Sequence, residues 1–192
     1  MIETLWFYTN LGFCHVIDLK GLDHFYFIVT LALPFSFKES GKLLWWVTLF
    51  TIGHTLSLIG NFYADFSFSS YWIEILIPLT IALSVISIFF LKRKNSIFKK
   101  ETIFPIMTLF FGIIHGLGFG RYFKMLILEN AVTSSLFSFA LGIELAQLTI
   151  VISVLFISWL VLKISKHFKK KWEFLVGSLI LLAAFKMILE RI

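Results

Sequence analysis

Seven ionisable side chains sit in or beside long apolar stretches of this chain: His15, Asp18, Asp23, His24, His54, His115 and Glu144. An ionisable group inside a bilayer is costly, so each one calls for a partner or a task. Imidazoles mixed with carboxylates suit a borderline divalent ion such as nickel, zinc, cobalt or copper(II). A cage of oxygens alone would suit magnesium or calcium better. The single cysteine, Cys14, excludes an internal disulfide and a Cys-x-x-Cys metal site. Copper(I) and iron–sulfur chemistry fit poorly for the same reason. A lone buried His is more often a hydrogen-bond partner of a neighbouring helix than a ligand. It is the gathering of several such groups that favours a metal.

The residues around them strengthen that expectation. In FTIGHTLSL, Thr51, His54 and Ser57 recur every third position and make a polar stripe. In LGIELAQ, Glu144 and Gln147 share a helix face. Thr51, Ser57 and Gln147 are therefore expected to orient the imidazoles and carboxylates. In FFGIIHGLGFG, Gly112 and Gly116 form a smooth face for close helix approach beside His115, and Gly118 extends the run of small residues. Glu144 has an alternative partner in Arg121 or Lys124, Glu74 is expected at the interface, and His167 among lysines is expected to be solvated.

The elements that must carry these residues follow from composition. The 192 residues are 59% hydrophobic and only 15% charged, with the apolar residues in long blocks, the pattern of a chain whose solvent is lipid. The expected fold is an all-α integral membrane protein: one domain, a bundle of about six transmembrane helices with a short N-terminal amphipathic segment. The spans fall near 22–37, 43–62, 71–91, 103–121, 135–162 and 172–189. Residues 5–20 are too polar at His15, Asp18 and Lys20 to span, and the first span is short enough that it extends backward or is a broken helix. The start, MIETLWFYTN, carries Glu3 in place of a basic leader, so the first segment is expected in the mature protein. No internal repeat is evident.

The net charge of +6 is confined to short segments, Lys92 to Lys100 and Lys163 to Lys171. That is the positive-inside pattern of cytoplasmic loops rather than a nucleic-acid surface, so no nucleic-acid partner is expected. Alternation then puts both termini outside, with the 38–42 loop inside and the 121–134 loop outside despite Arg121 and Lys124. On this topology four helices bring the ionisable groups to a similar level in the outer half of the membrane, forming one site open to the outside.

The series GLDHFYF, FTIGHTLSL, EILIPLTIALS, FFGIIHGLGFG and FALGIELAQ resembles the HupE/UreJ family of membrane proteins, in order from about residue 12 to 155. The family pattern falls on His15, Gly21, Asp23, His24, Phe50, Thr51, His54, Thr55, His115 to Phe119, Gly142, Glu144 and Gln147. The chain departs from it in a longer His15-to-Asp23 spacing that includes Asp18, in Thr55 for a commoner Ser, and in Ala146 for a commoner Gly. The resemblance implies a bacterial inner-membrane metal permease, with nickel the favoured ion, associated with supply to hydrogenase and urease. The chain is accordingly expected to take up a divalent metal and not to be an enzyme; self-association into a homo-oligomer is compatible with this. The rivals are an intramembrane zinc-type hydrolase, with Glu144 or Asp23 as general base, and an accessory protein that binds metal without moving it.

Overall fold

A computed structural model describes residues 2–19, 21–64, 68–91, 100–127, 131–165 and 168–192. Lys20, Asp65, the basic segment 92–99, Lys166 and His167 lie outside the described residues. Among the described residues there is no strand. The helices are α1 (Ile2–Ile17), α2 (Asp23–Ala32), α3 (Ser40–Ala64), α4 (Ser70–Leu91), α5 (Lys100–Leu126), α6 (Val132–Ile164) and α7 (Phe168–Leu189), with a 3₁₀ turn at Phe37–Glu39 leading into α3. The last five are long and apolar enough to cross a membrane. They expose large apolar side chains outward, including Phe156 and Trp159 on α6 and Leu179, Leu182 and Phe185 on α7. Lipid makes such exposure costless, and helices satisfy every backbone polar group internally. The chain is a multi-pass membrane protein.

The stretch expected as an amphipathic segment and a first span that extends backward or is broken forms one crossing in two pieces. α1 has 16 residues and α2 has 10. At 1.5 Å per residue these measure about 24 Å and 15 Å, so neither alone spans a hydrocarbon core of about 30 Å. Contacts along α5 show that they run on in the same direction. Tyr8 donates to the Leu126 carbonyl and packs edge-on to Phe123, His15 lies on Phe119, and His24 on His115. Further along, Phe27 meets Phe111, and Phe35 meets Trp46, which is stacked on Phe104. The pair is therefore one discontinuous crossing, antiparallel to α5. Its break spans Asp18–Leu22, where the Gly21 N–H donates to the Asp18 carbonyl at 3.1 Å. Asp23 opens α2, its Oδ1 accepting the His24 N–H at 2.8 Å, a carboxylate at the positive end of a helix. Pro34, which has no N–H to give, follows the end of α2.

Other boundaries also shift. The KESGK stretch is no open loop: Lys38 and Glu39 lie in the 3₁₀ turn and α3 already begins at Ser40. α5 runs on to Leu126, carrying Arg121 and Lys124 in its last turns, where cations complement the helix dipole. Trp46 is buried and stacked on Phe104, whereas Trp45, Tyr71 and Trp72 are exposed.

Two helix pairs form the most extensive interfaces, α3 with α5 and α1 with α6. Glycines let both pairs close. A side chain at Gly112 would strike the Phe50 carbonyl and the His54 nitrogen, and one at Gly116 the His54 carbonyl and Ser57 Oγ. On the other seam, Gly12 abuts the Phe139 carbonyl and Gly142 the Thr9 carbonyl. Between helices in lipid it is this close van der Waals fit, and no transfer from water, that holds the seam. Gly118 takes no part in the α3 seam; it faces Ile73 and Ile77 of α4.

Candidate metal centre

The break between α1 and α2 lies against the middle of α3 and α5, and four imidazoles meet there. His15 lies in the last turn of α1, His24 in the first turn of α2, His54 on α3 beside Gly53, and His115 on α5 between Gly112 and Gly116. Ring centroids are 4.7 Å apart for His15–His24, 5.7 Å for His15–His54 and for His24–His54, and 4.9 Å for His24–His115. One ring nitrogen each from His15, His24 and His54 lies within 4.8 Å of the others. Nitrogens around a tetrahedral ion at about 2.0–2.1 Å are roughly 3.4 Å apart, so an inward movement of about 1 Å per ring would close the trio on a metal. His54 is followed by ten more residues of α3 and His115 by eleven more of α5, which puts both within a turn of mid-helix.

The hydrogen bonds set the tautomers. His115 Nδ1 lies 2.8 Å from the Phe111 carbonyl, which can only accept, so Nδ1 carries the proton and Nε2 the lone pair. His24 Nδ1 lies 3.0 Å from Asp23 Oδ1, so the carboxylate holds its proton and again frees Nε2. This is the carboxylate–histidine arrangement that orients ligands from outside the metal's own shell. The Nε2 atoms of His15, His24 and His115 and both nitrogens of His54 are buried without a hydrogen-bond partner. Each such orphan costs roughly 1–3 kcal/mol in a folded chain. Buried rings with unpartnered nitrogens, each neutral ring offering one lone pair, fit a cation that accepts nitrogen donors. Phe27, Phe50, Phe119 and Phe139 close around the rings and keep the environment apolar.

The remaining sequence candidates fall elsewhere. Asp23 acts through His24. Asp18 is exposed at the break, on a cleft of ≈ 670 Å³ whose lining includes Cys14, His15, Phe119 and Tyr122. Glu144 is not in the imidazole cluster: its Oε1 accepts from Thr48 at 2.7 Å and its Oε2 from Thr51 at 2.5 Å. Thr51 also lies 2.9 Å from Gln147 Oε1. A hydroxyl has one proton, so these contacts form a chain: with Glu144 ionised, Gln147 must present its NH₂ to Thr51. Thr51 and Gln147 thus serve Glu144 and not the imidazoles. Ser57 donates to the His54 carbonyl at 2.8 Å and fills the contact with Gly116. Thr48 and Gly12 escape sequence reasoning because neither stands out in an apolar helix, while Phe50, Phe119 and Gly142 enter it only through the family pattern.

Fold and site together define a class: a multi-pass helical membrane protein with a buried imidazole cluster built around a broken helix. The chain belongs to the HupE/UreJ family; the family described as HupE / UreJ protein matches residues 1–191. No curated protein and no solved structure matches the chain.

Proposed function

We propose that this chain carries a divalent transition metal across the bacterial inner membrane, inward, with both termini outside. His15, His24 and His54 would hold the ion, His115 would supply a further nitrogen, and Asp23 would fix the His24 ring. The observation that carries this reading is the set of buried, unpartnered imidazole nitrogens converging from α1, α2, α3 and α5. Imidazole donors suit nickel, zinc, cobalt and copper(II). Family resemblance favours nickel among them. The cleft at Cys14 and Asp18 supplies a way in, since it reaches His15.

The carboxylates speak for binding and passage over hydrolysis. A zinc-type hydrolase needs a free carboxylate near the ion as general base. Asp23 is committed to His24, and Glu144 to Thr48 and Thr51. The test is uptake of radioactive nickel into vesicles carrying the full chain. Wild type should accumulate the ion, and a His54→Ala, His115→Ala double variant should not. Equal uptake by the two would overturn the proposal, and binding without flux would favour an accessory protein.

A further inference from the structure

Three crossings precede segment 92–99 and three follow it, and the second set runs opposite to the first. α1–α2 is antiparallel to α5. α4 is antiparallel to α7, since Val85 and Phe89 lie on Gly177 while the Glu74 carbonyl accepts from Arg191 at the other end. α3 runs parallel to α5, with Trp46 beside Phe104 and Asn61 beside Gly120. α6 follows α1–α2: Gly12 meets Phe139 and Ile143, and Val29 and Leu33 share a groove with Val154 and Ile157. In chain order, α1–α2 thus corresponds to α5, α3 to α6, and α4 to α7, each with its direction reversed.

The correspondence extends to residues. α1 and α5 carry the same Gly-x-x-His, Gly12 to His15 and Gly112 to His115, and both imidazoles enter the cluster. α3 and α6 carry the same Phe-x-x-Gly, Phe50 to Gly53 and Phe139 to Gly142. The two largest interfaces join these motifs crosswise. A Cβ on Gly12 would meet the carbonyl of Phe139 and the nitrogen of Ile143; one on Gly112 would meet the carbonyl of Phe50 and the nitrogen of His54. Any close pair of helices could reproduce such atoms. The matched spacing that brings two histidines from opposite halves to one point is the independent observation.

Besides the break in α1–α2, which α5 lacks, the two halves differ in how they are covered. Ile114 of α5 is buried, and Ile73 and Ile77 of α4 lie beside Gly118, each 3.3 Å from where a Cβ would sit. The matching positions, Cys14 of α1 and Asp18 at the break, are exposed and line the cleft, α7 packing on α4, α6 and α2 instead. We infer that the chain is an inverted repeat of two three-crossing units, and that this asymmetry is one of two exchangeable states. In the other state α7 covers α1 and α4 withdraws from α5, opening the imidazole site to the opposite face between α4 and α5. Inverted repeats meeting at a discontinuous helix are a recurrent way of exposing one site to each side in turn. The inference rests on the metal reading of the imidazole site and gives it a second door.

The native thiol supplies the test. Cys14 is exposed in the cleft, and its counterpart at the same offset is Ile114, which is buried; Ile17, also in the cleft, corresponds to Leu117. The full chain would be reconstituted in vesicles with nickel(II) and treated with a membrane-impermeant maleimide on each face separately. Cys14 should react from one face. In a Cys14→Ser background, the thiol introduced by Ile114→Cys should react from the opposite face, several-fold faster with nickel present. Leu117→Cys should behave alike and decides the matter if Ile114→Cys does not fold. Introduced thiols that stay unreactive from the opposite face in folded protein, or react from the Cys14 face, would overturn the repeat exchange. Nickel binding by wild type, measured in parallel, separates this from failure of the metal reading: without binding that reading falls, while the labelling still reports the exchange.

Discussion

Two polar regions lie within this bundle, and they are satisfied in opposite ways. The carboxylate of Glu144 takes hydrogen bonds from Thr48 and Thr51, so each of its oxygens has a partner within the chain. The imidazoles of His15, His24, His54 and His115 turn nitrogens toward one another and leave them without partners. Oxygen groups that solve their own burial are explained by packing, as interhelical hydrogen bonds. Nitrogen groups that do not are explained by something absent from the chain itself. Sequence alone offers both regions as one metal site; geometry divides them.

Substitutions can break this contrast at several strengths. The largest effect is expected from His54→Ala with His115→Ala, which removes ligand nitrogens and should weaken metal binding by more than about 100-fold by calorimetry, since even outer-shell losses cost 10–100-fold. Acid should act on the same groups: imidazole binds metal only when neutral. Metal loading should therefore fall as the solution is acidified, read as bound metal per chain across a pH series. Asp23→Asn keeps the size but weakens the hold on the His24 proton, and about a 10–100-fold drop in affinity is expected. An unchanged affinity would mean that the carboxylate does not orient the ring. Gly112→Val drives a side chain into the Phe50 carbonyl and should lower stability by about 1–3 kcal/mol, read as thermal unfolding in detergent. The smallest effect belongs to Glu144→Gln. It disturbs two hydrogen bonds, should cost about 0.5–1.5 kcal/mol, and should leave the number of metal ions bound per chain unchanged.

Much of this was legible in the residues, and the rest was hidden for identifiable reasons. Hydropathy locates the five continuous crossings because lipid demands unbroken apolar length. It misses α1 because His15 and Asp18 depress the average at the break, where a site needs them. The individual histidines could be named, since an imidazole in an apolar helix is conspicuous. Their approach to one another could not, because it depends on the break between α1 and α2 lying against α3 and α5. Glu144 looks like a ligand in sequence because its threonine partner Thr48 lies 96 positions away, a pairing only the α3–α6 contact reveals. The repeat stayed invisible because so few positions match, the Gly-x-x-His and Phe-x-x-Gly motifs among them, and because the halves are inverted.

The division between the two regions is tested most directly by X-ray absorption at the metal edge on nickel-loaded protein. A shell dominated by imidazole nitrogens at about 2.0–2.1 Å is expected, unchanged in Glu144→Gln and lost with His54→Ala and His115→Ala. An oxygen-dominated shell that disappears with Glu144→Gln would contradict it.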